Sequence, residues 1–289
     1  MAGGVMRSVV VTGVGTVEVR DVPEPHAQAG EIRIKVAGAG PNYADLRIIG
    51  GGNIGNGIGL ELAGIVDEIG PGVENAQLGT AVATIHIPWG KPGSASEYVV
   101  VPATHAAKIP DGLDILDAAT VTLNSLTAAQ LLAGASTGSL LVTGAAGGVG
   151  GYGVALAARA GWEVTALARA TDTEFLRRAG AARVITALED GFDAVLDTAL
   201  LNEAAVKAVR DGGTYLGVYP GAEPPSERGI VVTSTMVEPD GVAAQEMLAL
   251  TAKGVLEARR AGTVPFEETK VAYEALVMGG QRGRWVLTA

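Results

Sequence analysis

The chain has 289 residues, 48% of them hydrophobic and 18% charged, so it can bury a large core and disorder is not expected. Its net charge of −10, without clustered Lys and Arg, argues against a nucleic-acid partner. The absence of Cys excludes disulfides, thiolate catalysis and thiolate zinc sites, and His26, His86 and His105 lie too far apart in sequence to predict a metal site.

The N-terminal residues 1–7 lead directly into a strand-like run. They lack the long apolar segment of a signal peptide or a membrane span. The sequence therefore predicts a soluble, cytoplasmic protein without a membrane partner, and its length suggests two domains.

From residue 7 to about residue 118, short β-rich runs alternate with Gly and Pro. The runs are Ser8–Thr12, Val17–Val19, Glu31–Ala37, Gly64–Ile69, Thr80–Ile85 and Ser96–Val101. Such spacing predicts a compact β-barrel-like domain.

From about residue 119 the pattern changes to alternating helices and strands. A helix-like segment over 118–133 is followed by predicted helices over 149–160, 172–179 and 202–209. The strands between and after them are Leu140–Val142, Val164–Ala168, Arg183–Ile185, Asp193–Leu196, Thr214–Val218 and Ile230–Thr233. This alternation predicts a parallel sheet with a ligand at the carboxyl ends of its strands, where the strand order reverses.

The last part changes again. A helix over 241–253 ends at Gly254 and is followed by a strand over 256–263, a helix over 267–278 and a strand over 284–288. The best loop candidate is Pro220–Gly229.

The strongest motif is a glycine-rich turn. An apolar run ending at Val142 leads into Gly144, Gly147 and Gly150, which have the spacing G-x-x-G-x-x-G, and a helix rich in small residues comes next. Glycines let backbone N–H groups approach a pyrophosphate at the positive end of a helix dipole. A structural turn or another nucleotide-like ligand is the alternative, and the strand–turn–helix context favours a dinucleotide.

The residue that contacts the adenosine ribose stands about 20 positions after such a turn. Here it is Arg169, at the end of the next strand. A planar guanidinium suits a 2′-phosphate, so NADPH is favoured over NADH, with an ordinary surface arginine as the alternative.

With these residues assembled, the chain resembles the medium-chain dehydrogenase/reductase superfamily, in its zinc-free quinone oxidoreductase and enoyl reductase branch. The segments that carry the resemblance are Gly40–Asp45, Gly59–Val66, Glu97–Val100, Gly144–Gly150, Asp193–Thr198 and Gly280–Leu287.

The resemblance implies an α/β fold in which a Rossmann doubly wound parallel sheet is inserted into a GroES-like β-barrel catalytic domain. Residues 1–118 and 255–289 would form the catalytic domain, and residues 119–254 the NADP(H)-binding domain. The cofactor would lie in the cleft between them.

The resemblance also suggests how the chain works without zinc. Asn42 and Leu60 stand where zinc-dependent relatives have a Cys and a His ligand. Without a Lewis acid, alcohol oxidation is disfavoured. A conjugated acceptor is better suited, because hydride addition moves charge to an oxygen that hydrogen-bond donors can stabilise.

The same resemblance assigns the site. The implied catalytic residues are Tyr43, as proton donor or substrate-orienting hydroxyl, and Asn42, near the nicotinamide; for Tyr43 a packing role is the alternative. The implied cofactor-binding residues are Asn42, Thr127, Gly144, Ala145, Ala146, Gly147, Gly148, Val149, Gly150, Ala168, Arg169, Thr198, Gly217, Val218, Tyr219 and Arg284. No metal ligand is assigned.

Several positions depart from the family pattern or have a structural interpretation. Relatives carry a further tyrosine near position 53, where this chain has Asn53, and a lysine and a tyrosine near the phosphate, where it has Asp172 and Thr186. Asp45 and Glu61 are interpreted as hydrogen-bonding supports of the active-site loop, with an acid–base pair as the alternative. His86 is interpreted as a half-buried side chain with a hydrogen-bond partner.

The predicted function is an NADPH-dependent reductase that acts on a quinone or an activated C=C bond of an enone or enoyl substrate. The alternatives are an enoyl reductase dedicated to one biosynthetic intermediate, such as a polyketide, and an NADPH-binding protein with little catalysis. The β-branched run over 229–236 comes last among the strands of the parallel sheet. It predicts an exposed edge and a homodimer formed by pairing across it.

Overall fold

A computed structural model describes residues 4–88 and 92–289. The first three residues of the N-terminal segment considered above lie outside the described residues. The chain divides into two compact units. The first comprises Met1–Leu123, Pro239–Gly254 and Ala258–Ala289, and the second Asn124–Glu238 and Val255–Glu257.

The first unit is built on β-structure, as its sequence predicts. An antiparallel ribbon consists of β1 (Val5–Gly13) and β2 (Thr16–Pro23). A seven-stranded sheet has the order β14-β15-β3-β4-β5-β7, with β6 paired to β3. Its strands are β3 (Glu31–Ala39), β4 (Glu61–Ile69), β5 (Ala81–Ile85), β6 (Tyr98–Pro102), β7 (Ala107–Lys108), β14 (Arg260–Pro265) and β15 (Arg284–Thr288).

Alternation of apolar residues explains the core of this sheet. Ile32, Ile34 and Val36 of β3 are buried on one face, where they pack with Val99 and Val101 of the neighbouring β6. Since successive side chains of a strand point to opposite faces, this spacing buries one complete face of β3.

Among the described residues, the α-helices that lie wholly in the first unit are α1 (Tyr43–Gly51), α2 (Ile115–Ala118), α7 (Gly241–Ala252) and α8 (Thr269–Met278). Helix α1 was not predicted from the sequence. Helix α7 packs against β5 and β7, and Gln245 Nε2 donates to the carbonyl oxygen of Lys108 at 2.9 Å. The division into 1–118, 119–254 and 255–289 stays a prediction, and the compact units differ from it at residues 119–123, 239–254 and 255–257.

The second unit contains a six-stranded parallel sheet in the order β10-β9-β8-β11-β12-β13. Its strands are β8 (Ser139–Thr143), β9 (Glu163–Leu167), β10 (Arg183–Ile185), β11 (Phe192–Asp197), β12 (Val209–Gly217) and β13 (Val231–Ser234). The helices are α3 (Thr122–Leu132, in this unit from residue 124), α4 (Gly148–Arg159), α5 (Thr173–Arg178) and α6 (Glu203–Ala208). The predicted doubly wound Rossmann sheet is thereby confirmed.

The strand order reverses beside β8, between β8 and β11, and ligands of such sheets bind outside the carboxyl ends of the strands at that point. The apolar run of β8 is buried on both faces, with Leu140 and Val142 in one core cluster and Leu141 in the other. Strand β13 forms one edge of the sheet, as predicted for the run over 229–236.

Several boundaries differ from the sequence prediction. The helix-like segment over 118–133 is interrupted: α2 ends at Ala118 and α3 begins at Thr122. Strand β12 begins at Val209, where the predicted helix over 202–209 was to end. Strand β14 begins at Arg260, later than predicted, and the apolar Leu256, which suggested the earlier start, is buried outside any strand. Among the described residues, no helix has both the length and the apolar character needed to cross a membrane.

Candidate functional site

The glycine motif forms a tight turn between β8 and α4. Gly144 has a φ of 56°, in the left-handed region that favours glycine. The Gly147 N–H donates to the carbonyl oxygen of Gly144 at 2.8 Å and closes the turn just before the helix. A side chain at Gly150 would place its Cβ 2.3 Å from that carbonyl oxygen, so glycine is needed for α4 to pack on the turn. The predicted strand–turn–helix geometry is confirmed.

The turn fits the pyrophosphate of a dinucleotide. Gly147 and Gly148 are exposed at the amino end of α4, where the helix dipole favours negative charge. A Cβ on Gly148 would meet the Asn124 amide at 2.7 Å. Small residues therefore leave the backbone of this turn open to a ligand at the switch point of the sheet.

The structure gathers the predicted cofactor residues of the second unit along the carboxyl edge of the sheet. Thr198 Oγ1 donates to the carbonyl oxygen of Thr143 at 2.6 Å and lies 3.3 Å from that of Gly144. The predicted residues at the carboxyl ends of β8, β11 and β12 are Gly144–Gly150, Thr198, Gly217, Val218 and Tyr219. Their placement at one edge is as predicted, and their contact with a cofactor stays a prediction.

Asp197 is a hydrogen-bonding centre that the sequence analysis did not single out. Its side chain is fully buried at the end of β11. Its Oδ1 accepts from Thr143 Oγ1 at 2.5 Å and from Leu201 N at 3.1 Å. Its Oδ2 accepts from Asn202 N at 2.8 Å and from the Tyr215 hydroxyl at 3.0 Å. Burial, and then the charge of Asp197, raises the pKa of Tyr215, which keeps that hydroxyl a donor.

Arg169 lies two residues beyond the end of β9, as predicted. Its side chain is 60% exposed, and its Nε donates to Asp172 Oδ2 at 3.0 Å. The preceding residue, Ala168, is held to the neighbouring strand by a hydrogen bond from its N–H to Ile185 O at 3.0 Å. The ion pair orients the guanidinium while its other nitrogens have no partner among residues 4–88 and 92–289.

In the first unit, the predicted catalytic segment begins helix α1. Asn42 is the N-cap of α1, and its Oδ1 accepts from Ala44 N at 3.1 Å. Asp45 Oδ2 accepts from Asn42 N at 2.7 Å, and the two residues form a capping box. The Tyr43 side chain is exposed, and its hydroxyl donates to the carbonyl oxygen of Leu276 in α8 at 2.6 Å. In this conformation the hydroxyl proton of Tyr43 is used to join α1 to α8.

Asp45 also joins these two helices. It is fully buried and accepts a hydrogen bond from the Tyr273 hydroxyl of α8 at 2.9 Å. Burial raises the pKa of Asp45 to about 6, against the hydrogen bonds from Asn42 and Tyr273 that lower it. Asp45 is therefore a support of the Asn42–Tyr43 segment, as the sequence analysis interpreted it.

Arg284, which the resemblance placed among the cofactor residues, lies in a buried ion pair. Its Nη2 is 2.9 Å from Glu61 Oε2, and the two side chains are 6% and 0% exposed. The guanidinium also donates to the carbonyl oxygens of Pro41 at 3.0 Å and Thr120 at 2.6 Å. Glu61 Oε1 in turn accepts from Leu123 N at 2.8 Å. Burial raises the pKa of Glu61, and the charge of Arg284 opposes the rise.

Two further positions considered from the sequence, Thr127 and His86, are both buried. Thr127 is buried within α3. His86 is buried and its Nε2 lies 2.9 Å from the carbonyl oxygen of Pro92, in agreement with the structural interpretation. Over the part of the chain that is described, no group of three or more His, Asp or Glu residues is arranged to hold a metal ion.

Family comparisons agree with this geometry. Residues 28–111 match the family "Alcohol dehydrogenase GroES-like domain", and residues 161–287 match the family "Zinc-binding dehydrogenase". The two matches cover parts of both units.

Among curated proteins, erythronolide synthase EryA2 of Saccharopolyspora erythraea is 36% identical over 55% of this chain and 4% of its own length. The 2-methylene-furan-3-one reductase of Solanum lycopersicum is 33% identical over 61% of this chain and 50% of its own. The chain thus aligns with half or less of these relatives.

Among solved structures, the quinone oxidoreductase from Coxiella burnetii superposes with a TM-score of 0.89 at 22% identity, over 99% of this chain and 100% of that one. At this identity the likeness establishes the fold alone. The two family matches, over residues 28–111 and 161–287, show that the chain belongs to the medium-chain dehydrogenase/reductase superfamily, and the Rossmann sheet agrees with them.

Proposed function

We propose that this protein is an NADPH-dependent reductase that transfers hydride to a quinone or to an activated C=C bond without zinc. The observation that carries the proposal is the open glycine turn at the switch point of the parallel sheet. When bound, NADPH would supply the hydride. The turn and the amino end of α4 would hold its pyrophosphate.

Arg169 supports the choice of NADPH over NADH. Its exposed guanidinium is oriented by Asp172 and keeps further N–H groups available for a 2′-phosphate. Asp172 competes for the same cation, so one carboxylate partly offsets the attraction of the site for a phosphate. The arginine would still discriminate, because NADH has no 2′-phosphate.

Asn42 and Tyr43 are proposed to orient the substrate in the first unit. Since the Tyr43 hydroxyl donates to Leu276 O, water is the better candidate for the proton that completes the reduction. The position of the zinc relatives' Cys is occupied by Asn42, whose amide oxygen caps α1. A neutral amide committed to a helix cap is a poor metal ligand, which favours an acceptor that needs no Lewis acid.

A second candidate is an enoyl reductase dedicated to one biosynthetic intermediate. The similarity to erythronolide synthase EryA2 favours it, whereas the similarity to a 2-methylene-furan-3-one reductase favours a small enone. We also propose a homodimer formed through the edge strand β13, where Val231 is 57% exposed.

The test is NADPH oxidation against quinones, small enones and enoyl thioesters at saturating cofactor. Turnover with quinones or small enones supports the main proposal, and turnover confined to one thioester supports the second candidate. Tight NADPH binding without turnover of any acceptor would instead identify a cofactor-binding protein with little catalysis.

A further inference from the structure

The hydride transfer proposed above makes no direct use of the buried carboxylate of Asp197. Its four donors come from three separate segments: Thr143 of β8, Leu201 and Asn202 of the loop after β11, and Tyr215 of β12. A buried carboxylate needs such donors, because burial without them is costly. Asp197 therefore draws these segments together at the carboxyl edge of the sheet.

The loop after β11 has an unusual backbone. Leu200 and Asn202 have φ values of 56° and 50°, in the left-handed region that leucine in particular avoids. The N–H groups of Leu201 and Asn202 both donate to Asp197. These two hydrogen bonds hold residues 198–202 in a conformation that the loop would not adopt by itself.

The same network ties the loop to the glycine turn. Thr143 Oγ1 donates to Asp197 and accepts from Ala199 N at 3.1 Å. Thr143 is the last residue of β8, directly before Gly144. A Cβ on Gly144 would lie 2.9 Å from Thr198 Oγ1 and 3.2 Å from the Cβ of Ala199, so loop and turn are in direct contact.

We infer that Asp197 is a positioning residue for the cofactor: it fixes loop 198–202 against the glycine turn and so sets the affinity for NADPH. The inference rests on the proposed function. Asp197 itself is buried and need not touch the cofactor. It acts through Thr143, Thr198 and the backbone of the loop.

The chain offers matched variants for a test. Asp197→Asn keeps one acceptor oxygen but places an amide N–H group where backbone or hydroxyl donors converge. Thr143→Val removes the hydroxyl while keeping the shape, and Thr143→Ser restores a hydroxyl. The control is Asp193→Asn, because Asp193 lies at the opposite end of β11 and its Oδ2 accepts from Ser139 N and Oγ of β8, both at 2.8 Å.

The measurements are the Kd for NADPH by calorimetry and the melting temperature of each variant. The free energy of a hydrogen bond to a charged group corresponds to a change in affinity of about tenfold or more. Asp197→Asn and Thr143→Val are expected to raise the Kd by about tenfold or more. The Kd of Thr143→Ser and of Asp193→Asn is expected to stay within about threefold of the wild-type value, which is less than the cost of one such bond. This should hold even where these variants lower the melting temperature.

Two results would overturn the inference alone: unchanged NADPH affinity in Thr143→Val, or an equal loss of affinity in Asp193→Asn at the same melting temperature. The Thr143 pair keeps the test decisive if Asp197→Asn does not fold. If the wild-type protein binds neither NADPH nor NADH, the proposed function fails and the inference fails with it.

Discussion

Replacing Arg284 by Met should strongly destabilise the protein. The variant leaves the buried Glu61 carboxylate without its cation and removes the donors to Pro41 O and Thr120 O. Removing one partner of a buried ion pair costs about 3–5 kcal/mol. A domain is typically stable by about 5–15 kcal/mol, so much of its stability would be lost.

The loss is measured as the free energy of unfolding in urea, with two comparisons. Lys270→Met disrupts the Lys270–Glu274 pair, whose side chains are 83% and 60% exposed, and should have no measurable effect. The double variant Glu61→Leu with Arg284→Met should be more stable than Arg284→Met alone, because it removes the uncompensated charge as well.

A loss below about 1 kcal/mol for Arg284→Met would refute this reasoning, since it would mean that Glu61 is not isolated by burial. NADPH affinity provides a separate readout. An arginine that only supports the fold leaves the Kd of the folded fraction unchanged, whereas substitution of a cofactor residue, as the resemblance implied, would raise it.

Three further predictions concern other residues. Because burial raises the pKa of Asp45 to about 6, the unfolded state loses this proton first as the pH rises. The stability of the wild type relative to Asp45→Asn should therefore fall by about 1 kcal/mol from about pH 5 to about pH 8. A difference in the free energy of unfolding in urea that does not change with pH would contradict this. Tyr43→Phe should cost about 1 kcal/mol of stability through the lost hydrogen bond to Leu276 O, while kcat with a quinone stays within about threefold of the wild-type value. A fall in kcat of about a hundredfold or more would instead identify Tyr43 as the proton donor. Val232→Pro should disrupt the proposed dimer by disturbing the edge strand, and light scattering that gives 29.1 kDa for the wild type across the micromolar range would rule the dimer out.

The parallel sheet could be predicted from the sequence because its signals are local. Strands such as Leu140–Val142 are short apolar runs bounded by turn residues, and the glycine motif marks the start of helix α4. Helix α1 was missed because three glycines, at positions 50–52, come directly after its apolar residues and suggest a loop. Its actual signal is the Asn42–Asp45 spacing, which forms the capping box.

The buried networks could not be predicted from the sequence because their partners are far apart in the chain. Glu61 and Arg284 are separated by 223 positions, and Thr143 and Asp197 by 54. Nothing local distinguishes Asp197 from an exposed acid at the end of a strand. Its role emerges only once the parallel register places β8, β11 and β12 side by side.

The most direct test of the account is the affinity for NADPH and NADH in the wild type and in Arg169→Ala. The wild type should bind NADPH more tightly than NADH. Arg169→Ala should weaken NADPH binding by about 1.5–3 kcal/mol, which is the range for a charge-assisted hydrogen bond. The binding of NADH should be almost unchanged. Equal losses for both cofactors, or no preference in the wild type, would contradict the claim that this edge of the sheet binds NADPH through its 2′-phosphate.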